Sequence, residues 1–523
     1  MNRTSIGGWL SVLAVGTGLA WWALADSGYS DVSDEMRQAS AGQWWAPGDD
    51  RVFPEYSEYE NTSGRIGIIN QSGPISTKDH PFFKPLGNNG RACVTCHQPS
   101  DGMSLSVETI RERWDATDGK DPLFAAFDGS NCPDLPQGEK SSHSLLLNKG
   151  LIRIAMPWPP EPYQPDPIEP EFDIEVVRDP TGCNLSEKWG LHSNSPTISV
   201  FRRPRPVLNI DHMVELPHGV GPHNVFFYSD KNLLPKDPET GEFVQGILMA
   251  DARGLTPRHQ AKDAAKSHLE LKRPLTEKEL QAIEEFELQI FGAQSFDNVG
   301  RSLSGSGTPP GLGPQAPAMI PRGRLGNNPV NKVFGDFSMW EKADLDDTNT
   351  ADEQAHFKAS VARGADVFFN RRFYINDVGA YNDKGLGNPF KRSCASGCHN
   401  TLGMGMDMGP FPMDLGLHNY PWQNTRDDLP LFKVTCHENA APQSYLGRVI
   451  YTHDPGRALI TGRCRDVGAT MTQQMRALAG RAPYFANGSA DTLREMVDFY
   501  DRRFNIGYSE QEKIDLVNFM RTL

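Results

Sequence analysis

The sequence predicts a mainly α-helical fold of two domains with long irregular loops. Its 523 residues are more than one ordinary hydrophobic core organises, so two domains are expected. The 40 Pro and 49 Gly indicate many irregular connections between elements. Helical patterns recur along the chain, whereas strand patterns are scarce apart from possible short hairpins near residues 172–177 and 447–452.

Residues 1–25 have the pattern of an export signal. Arg3 precedes an uncharged apolar run, and the small-x-small sequence Ala23-Leu24-Ala25 is typical of a cleavage site. The run is also about long enough to span a bilayer, so an uncleaved anchor is the alternative. Both interpretations place the rest of the chain outside the cytoplasm.

Two segments without regular periodicity set the domain boundaries. Residues 26–80 are polar and rich in Gly, Pro and aromatic residues, so we predict an irregular N-terminal arm. The Gly- and Pro-rich stretch 303–330 indicates a linker. The rest of the chain then divides into an N-terminal domain over 81–330, which includes insertions and the linker, and a C-terminal domain over 331–523.

Five helices are predicted from start signals and amphipathic patterns. Ser and Thr side chains mark such starts because they accept hydrogen bonds from free N–H groups of the first turn. The first helix begins at Thr256, and the second begins at the capping pair Thr276 and Glu279. The third runs through "DEQAHFKASVARGADVFF", and the fourth crosses "SADTLREMVDFYDRRF". The fifth begins at the capping pair Ser509 and Glu512.

The charge balance limits the classes of partner. The chain has 52 Lys and Arg against 66 Asp and Glu, a net charge of −14. This charge repels phosphate backbones and anionic lipid surfaces. Nucleic acid is therefore not expected as a partner, and a membrane is expected only if the N-terminal segment is uncleaved.

The stretch "RACVTCHQPS" contains Cys93, Cys96 and His97 in the order C-x-x-C-H. Two thiols at the start of a helical turn can each add to a vinyl group of haem, and the following histidine then lies beneath the iron as an axial ligand. A zinc site is the alternative, although no second Cys/His pair of suitable spacing lies nearby. The motif predicts covalent haem c with His97 as the iron ligand.

The stretch "KRSCASGCHN" repeats this order with one extra residue between Cys394 and Cys398, followed by His399. A disulfide or a degenerate site is the alternative. Gly397 favours a haem site, because a residue without Cβ allows the longer loop to bulge. We therefore predict a second covalent haem c with His399 as its iron ligand.

Four further cysteines can form disulfides in an oxidising compartment. Proximity in the sequence favours pairs of Cys132 with Cys183 and of Cys436 with Cys464. The sequence alone leaves the connectivity open.

With both motifs in place, residues 80–523 resemble the bacterial dihaem cytochrome c peroxidase and MauG superfamily, which also includes the rubber oxygenases. The resemblance is strongest over "DPGRALITGRCRDVGATMTQQMRALAGRAPYFANGSADTLREMVDFYDRRF". It implies two cytochrome c-like haem domains in a periplasmic oxidoreductase. Hydrogen peroxide or O₂ would react at the N-terminal haem, and the C-terminal haem would store or relay electrons.

The segment "ARGLTPRHQAKDAAKSHLE" resembles the family's distal-pocket helix, in which a Gln is followed at a fixed offset by a Glu. Gln260 and Glu270 have this offset, which implies that Glu270 transfers a peroxide proton with Gln260 assisting. His268 is a competing acid/base candidate. The alternatives are a solvated helix face for Glu270 and a capping or cross-linking role for Gln260.

Leu493, Met496, Val497 and Tyr500 share one apolar face of a predicted helix. The offset of Tyr500 from "APYFANG" resembles the place where the peroxidases carry an axial Met and the MauG-type enzymes an axial Tyr. The resemblance implies Tyr500 as the second ligand of the iron held by His399. A core tyrosine is the alternative, and Met496 matches the offset less well.

The family also binds calcium between its haems, through backbone carbonyls beside the "APYF" turn and an Asn side chain. Arg481, Pro483 and Asn209 occupy the similar places in this chain. Oxygen-only coordination suits calcium, so the resemblance implies a calcium site formed by these three residues.

Three departures from the family pattern bear on function. Ala486 follows "PYF" where His is common, Ala250 stands in the place of the inter-haem tryptophan, and the loop Cys394–Cys398 is longer. An insertion over 211–248 also lengthens the region expected to cover the first haem. The chain thus lacks the family's tryptophan route between haems, and the insertion favours a specialised substrate.

The sequence predicts an enzyme, a peroxidase- or MauG-like oxidoreductase that activates hydrogen peroxide or O₂. A small cytochrome or a cupredoxin would donate electrons, or a protein side chain or an organic substrate would be oxidised. The alternatives are a non-enzymatic dihaem electron carrier and a dioxygenase similar to the rubber oxygenases.

Overall fold

The computed structural model describes most of the chain. The described residues are 44–161, 168–214, 236–242, 244, 248–320, 335–343, 352–383, 387, 389–400, 406–407 and 412–523. The predicted export signal and much of the predicted insertion lie outside them. Within these ranges, no helix is long and apolar enough to cross a membrane.

The fold mixes helices and strands. It is 31% helical and 19% strand, with several small sheets, so the prediction of a mainly α fold is wrong. The strands are short and many pair with distant segments, so their alternation covers too few residues to stand out in the sequence. Neither predicted hairpin forms separately, since Phe172–Arg178 and Val449–Thr452 both pair with Leu431–Cys436.

The α-helices of the described residues include the five that the sequence predicts. In chain order they are α1 (Val107–Thr117), α2 (Ser144–Lys149), α3 (Ile210–Val214), α4 (Pro257–Ser267), α5 (Glu277–Gln289), α6 (Gln315–Met319), α7 (Glu353–Asn370), α8 (Gly379–Asp383), α9 (Cys394–Gly397), α10 (Ala458–Thr461), α11 (Leu493–Phe504) and α12 (Glu510–Arg521). The capping boxes that start α5 and α12 are both present, as predicted.

All strand pairs of the described sheets are antiparallel. The strands are β1 (Val52–Phe53), β2 (Tyr56–Asn61), β3 (Gly64–Asn70), β4 (Ile75–Ser76), β5 (Ile152–Pro157), β6 (Phe172–Arg178), β7 (Thr197–Arg202), β8 (Ile290–Asp297), β9 (Arg301–Ser302), β10 (Phe373–Ile375), β11 (Phe390–Arg392), β12 (His399–Asn400), β13 (Met406–Asp407), β14 (Leu431–Cys436) and β15 (Val449–Thr452). The larger sheets have the orders β2-β3-β8-β9 and β15-β14-β6.

The four-stranded sheet supports the first Cys–His motif. Strands β1 to β4 lie in the segment for which we predicted an irregular arm, so that prediction is wrong over 52–76. Ile66 and Ile68 of β3 are fully buried in the same cluster as Val94 and Met103, which flank the motif. This apolar burial fixes the motif against the sheet.

Two disulfides brace the middle of the chain. Cys132 is bonded to Cys183 and Cys436 to Cys464, which are the pairs that sequence proximity favours. The pairs are separated by 51 and 28 residues. Closing such loops stabilises the fold by about 4 kcal/mol each in the chain-entropy model.

Helices α7 and α12 pack closely in the C-terminal half. Gly364 permits this approach, because a Cβ at that position would clash with Asp515 O. The Asp515 carboxylate accepts hydrogen bonds from Ser360 Oγ at 2.5 Å and Arg363 Nε at 2.9 Å. The two helices thereby form one rigid wall of the C-terminal core, to which Phe519 contributes.

Candidate haem sites

The first Cys–His motif is folded into a tight turn with both sulfur atoms on one side. Cys93–Thr95 is a 3₁₀ helix, and the Cys96 N–H donates to Cys93 O at 3.2 Å. A 3₁₀ helix has about three residues per turn, so side chains at i and i+3 eclipse each other. The C-x-x-C spacing therefore brings both thiols to the same cavity.

The second motif uses an α-helical turn for the same purpose. Helix α9 spans Cys394–Gly397, and the Cys398 N–H donates to Cys394 O at 3.2 Å. An α-helix has about 3.6 residues per turn, which aligns side chains at i and i+4. An α-helical turn contains more residues than a 3₁₀ turn, so it accommodates the extra residue between the two cysteines. Gly397 does not form the predicted bulge; a Cβ there would clash with Ile375, so its small size serves packing.

His97 is oriented by a backbone carbonyl. Its Nδ1 lies 3.1 Å from Met103 O, and a carbonyl can only accept, so Nδ1 donates. Burial lowers the pKa of His97 to about 4, which keeps the imidazole neutral at neutral pH. The Nε2 lone pair is then the one available to an iron, in the arrangement usual for metal-binding histidines.

The first motif opens into a cavity of about 1190 Å³, counting the space open to solvent. Gln260 and His268 of the predicted distal segment line it, whereas Glu270 does not. Helix α4 ends at Ser267, and Glu270 has a left-handed backbone with φ of 51°. The chain therefore turns before Glu270, and the family spacing from Gln260 does not bring this side chain to the lining of the cavity.

His268 is held by a buried carboxylate that the sequence gives no reason to select. His268 Nδ1 lies 2.7 Å from Asp128 Oδ2, and Arg91 forms an ion pair with the other Asp128 oxygen. Burial opposes ionisation of Asp128, but the Arg91 charge and the His268 hydrogen bond lower its pKa. The ionised carboxylate accepts from Nδ1, which leaves Nε2 for chemistry in the cavity. Glu270 is close enough to act on the charge of Arg91.

A buried carboxyl group that does line this cavity is likewise not marked by the sequence. Glu287, at the end of α5, is 4% exposed and lines the cavity with Cys93. Burial, followed by the charge of Glu284, raises the pKa of Glu287 to about 8. This side chain is therefore mostly protonated at neutral pH. An amphipathic pattern alone does not distinguish it from the exposed glutamates of the same helix.

The second motif lines a cavity of about 1240 Å³, measured in the same way. Tyr500 and Met496 of α11 both line it, together with His399. The Tyr500 ring packs against the Phe485, Phe499 and Phe504 rings. Its hydroxyl forms no hydrogen bond with any described residue, and burial raises the pKa of Tyr500.

Both cavities fit haem c. The four motif cysteines are not disulfide-bonded, so the disulfide alternative for the second motif is not found. Burial raises the pKa of Cys96 and Cys394 to about 11, which preserves thiols that can add to vinyl groups. Over the described ranges, no group of three or more His, Cys, Asp or Glu side chains could hold a metal ion, so the zinc alternative lacks a ligand set there.

The predicted calcium ligands do not form an open set of oxygens. Asn209 Oδ1 accepts the Gly292 N–H at 3.0 Å, and its Nδ2 donates to Gly292 O at 3.0 Å. Arg481 O accepts from the Arg203 guanidinium at 3.0 Å. Pro483 lines the second cavity. Two of the three positions are thus engaged by donors of the protein.

Ala250 and Ala486, two positions at which the chain departs from the family pattern, lie where the two cavities adjoin. Ala250 lines the first cavity, and its carbonyl accepts the N–H of Met471, which lines the second, at 2.8 Å. Ala486 lines the second cavity and accepts the Arg203 N–H at 2.8 Å. Backbone hydrogen bonds therefore connect the cavity walls at the positions that lack the family side chains.

Two thiol–histidine turns that open into cofactor-sized cavities are the arrangement expected of c-type cytochromes. Among curated proteins, the chain is similar to two cytochrome-c peroxidases of Pseudomonas sp. (strain SCT). It is 34% identical to IdrP2 over 142 residues and 33% identical to IdrP1 over 152 residues. The matches cover 25% of this chain and 36% and 37% of these relatives.

These matches support the dihaem cytochrome c peroxidase superfamily, the family predicted from the sequence. Both relatives are named as cytochrome-c peroxidases. The chain spans little more than a third of the length of these relatives. No family model and no solved structure matches.

Proposed function

We propose that the chain is an exported, periplasmic dihaem c peroxidase that reduces hydrogen peroxide in the first cavity. The observation that carries this proposal is the Asp128–His268 pair, whose imidazole lines the cavity that also contains Cys93, Cys96 and His97. A non-enzymatic electron carrier has no need of an oriented acid/base group beside its cofactor.

The reaction consumes one peroxide, two electrons and two protons and yields two waters. A haem held by Cys93, Cys96 and His97 would supply the iron for breaking the O–O bond. His268 takes a proton from the inner peroxide oxygen through Nε2 and returns it to the outer oxygen, so that water leaves. Asp128 fixes the tautomer and orientation of His268. Gln260 is a polar side chain of the same cavity that would orient the bound peroxide.

The second cavity would store and relay the electrons. His399 would ligate the iron of its haem, and the Tyr500 hydroxyl would be a second ligand from the protein. Met496 remains the alternative, since it lines the same cavity. Anionic oxygen ligands favour oxidised iron, so a tyrosine ligand suits storage of oxidising equivalents. A small cytochrome or a cupredoxin is the proposed electron donor.

The experiment compares His268→Gln with Glu270→Gln in the haem-loaded protein. Glutamine preserves polarity but cannot transfer a proton, so we expect His268→Gln to lower the rate of peroxide reduction by about 10²- to 10⁴-fold. Glu270→Gln serves as the matched variant outside the cavity, and we expect a much smaller effect. Stopped-flow spectroscopy measures both rates, and mass and absorption spectra check that haem content is unchanged.

The two rates together indicate which residue transfers the proton. Loss of rate in Glu270→Gln alone would restore the role that the family resemblance gave to Glu270. Wild-type rates in both variants would remove His268 and Glu270 as acid/base groups and favour the electron carrier. A wholly low-spin ferric spectrum that does not respond to peroxide or cyanide would also favour the electron carrier.

A further inference from the structure

Arg203 lies in the wall that separates the two cavities. It follows directly after strand β7, and Arg203 and Pro204 line both cavities. The Arg203 side chain is almost entirely buried, with 6% of the residue exposed. A single side chain is thus placed to act on both sites.

Backbone carbonyls hold the Arg203 guanidinium. Nη1 donates to Lys149 O at 3.0 Å, and Nη2 donates to Arg481 O at 3.0 Å and to Leu105 O. In the described part of the chain, Arg203 forms no ion pair with a carboxylate. Burial lowers the pKa of Arg203 to about 10, so the group is still charged at neutral pH. Backbone carbonyls therefore fix its position, and the Asp101 carboxylate is close enough to act on its charge without forming an ion pair.

This guanidinium conflicts with a calcium ion at the position that the family resemblance implied. Calcium binds oxygen at about 2.3–2.6 Å, and Arg481 O is already 3.0 Å from Arg203 Nη2. A calcium ion on that carbonyl would thus lie within about 5.6 Å of a buried cation. Like charges so close in a buried region repel strongly. Asn209 offers no compensation, because its Oδ1 already accepts the Gly292 N–H.

We propose that Arg203 is the resident cation between the two haem sites and that this position binds no calcium. The inference rests on the proposed function in that it assumes a haem in each cavity. A fixed positive charge in a shared wall stabilises the reduced, less positive state of both irons. Arg203 is therefore a positioning and tuning residue for electron transfer between the sites, without direct contact with peroxide.

The first test measures calcium binding by the wild-type holoprotein. A ligand that binds only the native state raises its stability, by about 4 kcal/mol at a thousand times its Kd. We expect no difference in the thermal unfolding midpoint between buffers with CaCl₂ and with EGTA, and no binding heat in calorimetry with CaCl₂. Stoichiometric calcium binding that is lost in Asn209→Ala would overturn the proposal.

The second test measures the midpoint potentials of both haems by spectroelectrochemistry in Arg203→Gln and Arg203→Lys. We expect Arg203→Gln to lower both potentials and Arg203→Lys to keep them close to wild type. Arg203→Lys is the matched control, because it keeps a positive charge at the same place in the wall. Unchanged potentials in Arg203→Gln would refute the tuning role.

Failure of this inference can be told apart from failure of the proposed function. Fewer than two haem adducts on the wild-type chain would refute the two-haem function, and the calcium measurement would still decide whether Arg203 excludes the ion. If Arg203→Gln does not fold, calcium binding by the wild type decides the proposal by itself.

Discussion

Tyr500 differs from the other aromatic residues of the second cavity by a hydroxyl that no described residue binds. Its neighbours are phenylalanine rings, which supply packing but no polar partner. Tyr500 is half-buried and lines the second cavity together with His399. An iron held by His399 in this cavity would supply the hydroxyl with a partner.

We therefore predict that Tyr500→Phe preserves the fold but removes the electron paramagnetic resonance signal of a ferric haem with His and Tyr ligands. The substitution deletes one oxygen and keeps the ring packing. Met496→Leu is the control on the same face of α11, and its spectrum should equal that of wild type. A spectral change in Met496→Leu, with Tyr500→Phe unchanged, would transfer the ligand role to Met496.

Residues with a local motif could be predicted from the sequence, and residues brought in by the fold could not. The thiols and histidines of both motifs are neighbours in the chain, so spacing alone indicates their chemistry. Asp128 reaches His268 from a distant segment, and nothing in its immediate sequence marks it. Glu270 is the reverse case, because its spacing from Gln260 matches the family but it follows the end of α4 and does not line the cavity.

At the scale of elements, helix starts were predictable because capping depends on a few adjacent residues. The short strands were not, since β3 needs β8 and β6 needs β14 as partners from remote parts of the chain. The turn of the second motif combines both cases. Its extra residue is visible in the sequence, but the change from a 3₁₀ to an α-helical turn is visible only in the structure.

We predict that Ser393→Ala lowers the fraction of chains that carry the second haem. Ser393 caps this turn, since it accepts the Ser396 N–H and its own N–H donates to Ser396 Oγ. Loss of such a cap costs about 0.5–2 kcal/mol, and the turn holds both thiols on one side. Mass spectrometry of the denatured chain measures the haem adducts.

Ser106→Ala is the control for this element. Ser106 caps α1 in the same way, through the Thr109 N–H, but belongs to neither motif. We expect a similar loss of stability with full haem content. If Ser393→Ala retains as much haem as Ser106→Ala, the turn does not depend on its cap.

At the scale of the whole molecule, we predict two covalent haems per chain. Each motif has free cysteines and its own cavity, so the acid-denatured mass should exceed that of the polypeptide by two haem masses. Replacing Cys93 and Cys96 by Ser should remove one adduct, and replacing Cys394 and Cys398 should remove the other. A wild-type chain with a single adduct would leave the second cavity without a covalent cofactor.

The last helix of the chain has a consequence for how the protein is assembled. Leu516 and Met520 of α12 line the second cavity together with Phe368 of α7, so this cavity closes only after the final residues have packed. Cys398 is then buried. If the second motif carries haem, the haem would be joined before α12 docks, which predicts an order for maturation. In a chain that folds before it receives its cofactor, the second motif would be inaccessible to the enzymes that attach haem.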